Sequence, residues 1–154
     1  MAEDRLTATE EAAWAGFLHA HAELWRELEK RLAPSGLNMN DYAVLVTLQS
    51  AGESGVRMTD LAKRTRMSSG GFTRLADRLQ AQGLIERRRC DSDGRGSFAV
   101  ITPAGADRLG SARVGHLDDV RELFLNHLSD EELRSMGDSF ARIRAAAADT
   151  SPSC

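Results

Sequence analysis

Cysteine is nearly missing from this sequence. Cys90 and Cys154 are the two present, too few to staple a small secreted fold with disulfides. Neither they nor the four histidines (His19, His21, His116 and His127) show the CxxC or HExxH spacings that hold a metal. No cofactor is therefore expected. No stretch of ~18 apolar residues exists to span a membrane, and no low-complexity tract points to disorder. The opening MAEDRLTATEEAAW is acidic and lacks the apolar core of a signal peptide. These absences lead us to expect a cytoplasmic chain with no membrane partner. A nucleophile paired with a base, or a glycine-rich phosphate loop, cannot be read either, so an enzyme is not expected.

What is present is 154 residues, 42% of them apolar, enough for one domain with a core. The net charge of −3 hides an uneven distribution. Residues 54–100 hold ten basic and five acidic side chains, a net of +5, which leaves −8 for the rest of the chain. A basic middle between acidic flanks suggests one surface built for an anion.

Hydrophobic spacing predicts a long helix over 8–33, with Trp14, Phe17, Leu18, His21, Leu24, Trp25, Leu28 and Leu32 on one stripe. Thr7 and Glu10 have the form of a capping box, and Pro34 and Gly36 stop the helix. So large an apolar face must be buried somewhere. Asn40 is the expected cap of a second helix ending near Gly52. A short third helix reads MTDLAKRT over 58–65, with Leu61 and Ala62 inward. A fourth, capped by Ser68 or Ser69 and ending at Gly83, turns Phe72, Leu75, Ala76 and Leu79 inward. Its opposite face carries Gly70, Thr73, Arg74 and Asp77, with Arg78 beside it. The period then changes: LIERRRC and GSFAVIT read as strands joined by the hairpin signal DSDGR. Thr102-Pro103 starts a fifth helix that should run to about His127. Ser129 and Glu132 cap a sixth, carrying Leu133, Met136, Phe140 and Ile143.

Two short helices joined by a tight turn and followed by a hairpin make a winged helix-turn-helix. The expected fold class is mainly α with a small β-hairpin wing. A helix that enters the major groove of double-stranded DNA presents its N-terminal residues to base edges. Here those are Ser68, Ser69, Gly70, Thr73 and Arg74. Thr73 suits a thymine methyl or a hydrogen bond, and Arg74 can grip a guanine. Arg78, one turn on, would reach a phosphate. Arg95 at the hairpin tip would enter the flanking minor groove, braced by Asp93. Arg87, Arg88 and Arg89 alternate across the strand, so one of them must turn away from DNA and pair with an acid; Arg89 is kept with the DNA-binding set.

The segment LAKRTRMSSGGFTRLADRLQAQGLIERRRCDSDGRGSFAVITPAG resembles the MarR (multiple antibiotic resistance regulator) family of bacterial transcription factors. The resemblance rests on Thr73-Arg74-Leu75, Asp77-Arg78-Leu79, Gly83-Leu84-Ile85, Arg87, Asp93-Gly94-Arg95 and Ile101-Thr102-Pro103-Ala104-Gly105, where Ile101 replaces the usual leucine. It implies one MarR-like domain over 1–154: a winged part at 40–102, a helical dimerisation region at 7–34 and 103–148, and a disordered tail at 149–154. It also implies a homodimer that reads a pseudo-palindromic operator. Many family members release DNA when a small aromatic or phenolic effector binds. The corresponding residues here are His21, Trp25, Asn38, Tyr42 and His116; His21 and Trp25 also lie on the apolar stripe, where a core role is the alternative. The expected function is thus a dimeric DNA-binding regulator, a repressor released by such a ligand. The alternatives are a winged-helix protein-interaction module and a redox-responsive regulator acting through Cys90, whose thiol follows three arginines.

Overall fold

The structure, a computed structural model, describes residues 5–65, 67–89 and 97–149; for Ser69, Arg89, Ala148 and Asp149 it describes the backbone alone. Arg66, Cys90, the DSDGR tip with Asp93 and Arg95, and the tail 150–154 lie outside the described residues.

The winged helix-turn-helix fold is as expected. Its elements are α1 (Ala8–Leu32), α2 (Met39–Ala51), β1 (Val56–Arg57), α3 (Met58–Thr65), α4 (Ser69–Ala81), β2 (Ile85–Arg89), β3 (Ser97–Ile101), α5 (Pro103–Leu123) and α6 (Asp130–Asp149). Thr7 caps α1 in a reciprocal box with Glu10, each satisfying a backbone N–H of the other. A single turn of 3-10 helix at Ala33–Ser35 and the left-handed Gly36 end that segment. The cap of α2 is Asn38, not Asn40. Its side chain accepts from the Asp41 N–H at 2.8 Å, while the Asp41 carboxylate accepts from the Asn38 N–H at 3.1 Å. Asn40 already lies inside the helix. The fifth helix ends at Leu123, short of His127, and a separate 3-10 turn follows at Leu125–His127.

The sheet has the order β1-β3-β2, antiparallel throughout. β1 has no signal in the sequence: two residues carry no period, and this strand forms on the edge that β3 offers. Two glycines make the joints. Gly83 takes a positive φ of 70° between α4 and β2. Gly105 is buried in the first turn of α5, where a Cβ would collide with the Leu84 carbonyl and Ile101.

The chain divides into two compact units, Met1–Leu117 and Asp118–Cys154. The first holds the core. Leu45 and Leu48 from α2, Leu61 from α3, Leu79 from α4, Ala99 from β3 and Leu109 from α5 are all fully buried. Each leucine taken from water in this way contributes roughly 2 kcal/mol. In the second unit α6 starts from the Ser129–Glu132 capping box, and none of the described side chains is fully buried. Among the described residues no helix is long and apolar enough to cross a membrane.

Candidate nucleic-acid interface

α4 divides cleanly into two faces. Phe72, Leu75, Ala76 and Leu79 are buried, as their spacing requires. Gly70, Thr73, Arg74 and Asp77 are exposed on the other side. The Ser68 hydroxyl accepts from the Gly71 N–H at 3.2 Å and sets the first turn. A Cβ at Gly70 would meet nothing within 4 Å. Interhelical packing therefore does not demand glycine at position 70; the bare backbone faces outward. The Arg74 Nε donates to the Gly70 carbonyl at 3.3 Å, which lays the guanidinium along the exposed face.

Two arginine–aspartate links fix how α4 is presented. The Arg78 guanidinium forks onto Asp41, donating at 3.0 and 2.7 Å to its two oxygens. Asp41 is fully buried. The Arg78 side chain is thus anchored to a carboxylate of α2 while 43% of it stays exposed. Asp41, which anchors Arg78, is not among the residues expected at the site. Its signal is present in the Asn-x-x-Asp pattern at the start of α2, but its partner lies 37 residues away. The second link is Arg87 to Asp77 at 2.6 Å, from β2 to α4. Arg87 is thus half-buried and paired with an aspartate on the exposed face of α4. Arg88 makes a longer contact of 3.4 Å to Glu86 on its own strand.

The five effector candidates fall into separate groups. Tyr42 and His116 are buried together, with ring centroids 4.3 Å apart. Burial pushes the Tyr42 hydroxyl above its ordinary pKa, against the opposing pull of the Arg113 charge. Asn38 is the cap one turn before Tyr42. His21 and Trp25 stand on α1 with rings 5.9 Å apart. They continue a ladder through Phe17 to Trp14, whose successive rings lie 6.2 Å apart. This ladder is exposed in the single chain, with Trp14 57% and Trp25 40% accessible.

Known proteins place this geometry. A sequence model of the MarR family matches residues 35–96. The transcriptional repressor YetL of Bacillus subtilis is 30% identical over 120 residues, covering 75% of this chain and 71% of the relative. The crystal structure of AbsC, a MarR family transcriptional regulator from Streptomyces coelicolor, superposes with a TM-score of 0.86 at 34% identity, covering 95% of this chain and 99% of the other. Sco3205, a MarR family regulator from the same organism in complex with DNA, gives 0.85 at 31% identity, covering 97% and 96%. A fold shared over nearly the whole length, at that level of identity, shows that the chain belongs to the MarR family of transcriptional regulators.

Proposed function

We propose that this chain is a homodimeric, sequence-specific DNA-binding regulator that acts as a repressor and is released by a small aromatic or phenolic ligand. The observation that carries the DNA reading is the division of α4. Its apolar side is spent on the core, and its outer side offers open glycine backbone, Thr73 and Arg74 to a groove. Ser68, Ser69, Gly70, Thr73, Arg74, Arg89, Asp93 and Arg95 form the proposed DNA-reading set, with Arg95 in the minor groove. Arg78 belongs to the set as well: anchored on Asp41, it reaches a backbone phosphate from its exposed side. The Sco3205 complex with DNA supports this use of the fold.

The homodimer is supported by the exposed aromatic ladder of α1 and by Phe140 and Ile143 of α6, large apolar side chains that a lone protomer leaves in water. We assign 7–34 and 103–148 to this role and 40–102 to the winged part. For the effector, the buried Tyr42–His116 pair is the best-formed of the candidate groups, with Asn38 beside it.

The deciding experiment is fluorescence anisotropy on the chain's own upstream DNA and on a scrambled duplex of equal length, at two salt concentrations. One dimer per pseudo-palindrome, tighter on the upstream DNA and weakened by salt, is the expected result. Equal affinity for both duplexes would overturn sequence-specific regulation. Release of the bound duplex by a phenolic acid in the same assay tests the ligand.

A further inference from the structure

A second group of arginines lies on β1 and α3. Arg57 of β1 and Arg64 of α3 line an open cleft of about 490 Å³ with Asp60, Phe98, Thr47 and Ser50. Asp60 and Arg64 are four apart, which puts them on one side of α3, and Arg57 closes the strand directly before that helix. Among the described residues neither arginine is paired with a carboxylate. Arg57 is nevertheless fixed: its guanidinium lies over the Phe98 ring, 5.1 Å from the centroid. The strand register explains why, since Arg57 pairs directly with Phe98 and both point to the same side of the sheet. The Thr47 and Ser50 hydroxyls donate back to the carbonyls of Ala43 and Val46. Among the lining side chains, the hydrogen-bond donors left to a ligand are therefore the two guanidiniums.

We infer that this cleft holds a backbone phosphate of the DNA strand flanking the groove that α4 enters; the inference rests on the DNA-binding reading above. Three observations select a phosphodiester. The guanidinium fork matches phosphate oxygens. The cleft is open along the surface, so it suits one unit of a passing polymer. And α3 is the first helix of the helix-turn-helix, the one that crosses the DNA backbone when the second lies in the groove. Arg57, stacked in advance on Phe98, gives up little freedom on binding. Asp60 stands between the two arginines and sets a sign test, because its charge opposes the phosphate.

The test uses the full chain and a duplex that the wild type has selected from a random library, with an unselected duplex beside it. Log affinity is plotted against log salt for wild type, Arg57→Ala, Arg64→Gln and Asp60→Asn. The double variant Arg57→Ala/Arg64→Gln should flatten the slope by about one unit per protomer bound, and each single variant by part of that unit. At 0.15 M salt the loss of that whole unit corresponds to roughly fivefold weaker binding per protomer. The weakening should be equal on both duplexes, since a phosphate contact carries no base information. Asp60→Asn should tighten binding. Unchanged slopes in correctly folded arginine variants, or weaker binding by Asp60→Asn, would overturn the phosphate site. So would inorganic phosphate raising the melting temperature of wild type but not of Arg64→Gln while the DNA slopes stay unchanged, which would mark a free-anion site. Failure of the wild type to enrich any sequence would instead count against the regulator reading itself.

Discussion

α1 and α4 are both amphipathic, and they dispose of their apolar faces in opposite ways. α4 buries Phe72, Leu75, Ala76 and Leu79 almost completely and leaves small and polar groups outside. α1 keeps Leu32 inside, yet leaves Trp14, Phe17, Leu18 and Trp25 substantially in water. The difference separates two kinds of partner. A helix that has used its apolar side on its own core presents a surface suited to a hydrated, charged polymer. A helix that still shows two tryptophans is suited to another apolar surface, because covering them recovers the hydrophobic free energy that folding of one chain leaves unused.

That contrast can be broken at several points. The largest effect is expected at the seat of α4. Arg78→Ala leaves the Asp41 carboxylate buried without its counter-charge and should destabilise the fold by roughly 3 kcal/mol, read as a lower melting temperature. A drop of only a degree or two would mean that Asp41 is held by its backbone contacts and that Arg78 is dispensable. Next is the α1 ladder. Trp14→Glu should weaken self-association by about 2 kcal/mol, roughly thirtyfold, while the secondary structure stays intact. Sedimentation at nanomolar concentration measures it; a mass identical to wild type would remove the ladder from the interface.

On the α4 side, Arg74→Ala should cost about 1–3 kcal/mol on the selected duplex and relax preference at one base pair in each half-site. Uniform weakening on every duplex would recast Arg74 as a phosphate contact. The smallest effect concerns the two capping boxes. The Glu10 carboxylate is held below its ordinary value of 4.5 by the Thr7 N–H and hydroxyl, and Glu132 is held likewise by Ser129. A carboxylate depressed in the folded state stabilises it above 4.5, and that contribution fades as pH falls through the lowered value. Glu10→Gln and Glu132→Gln should therefore flatten the acid side of a melting-temperature profile. An acid slope identical to wild type would show that these caps do not report folding.

Much of this is legible in the residues. The buried stripe of α4, the inward Leu61, both Thr/Ser–Glu capping boxes and the strand change after Gly83 follow from local spacing, and local spacing is what a single chain displays. The failures share a cause. The cap of α2 falls two residues from its expected place because its box closes with Asp41 instead of the glutamate or glutamine that marks the pattern. β1 is too short to have a period and depends on β3 for its existence. For Arg78, helical geometry gives direction without a partner; the acid that binds it stands on a different helix. Arg87 is the exception. Strand alternation separates Arg88 from Arg87 and Arg89, and Arg87 meets Asp77 across the joint to α4.

Thr102 has a consequence for the order in which the molecule assembles. Its hydroxyl donates to the Gly83 carbonyl at 2.6 Å and accepts from the Gly105 N–H at 3.0 Å, while its own N–H donates to the Leu84 carbonyl at 3.1 Å. One residue thus ties the end of α4, the root of both long strands and the first turn of α5. The span it closes is 19 residues, against 37 for the Arg78–Asp41 bridge. Shorter loops close at lower entropic cost, and folding tends to proceed through local contacts first. The wing and the start of α5 can therefore form as a unit before α4 is locked onto α2. Thr102→Val, which keeps the shape and deletes both side-chain hydrogen bonds, should slow refolding more than it speeds unfolding.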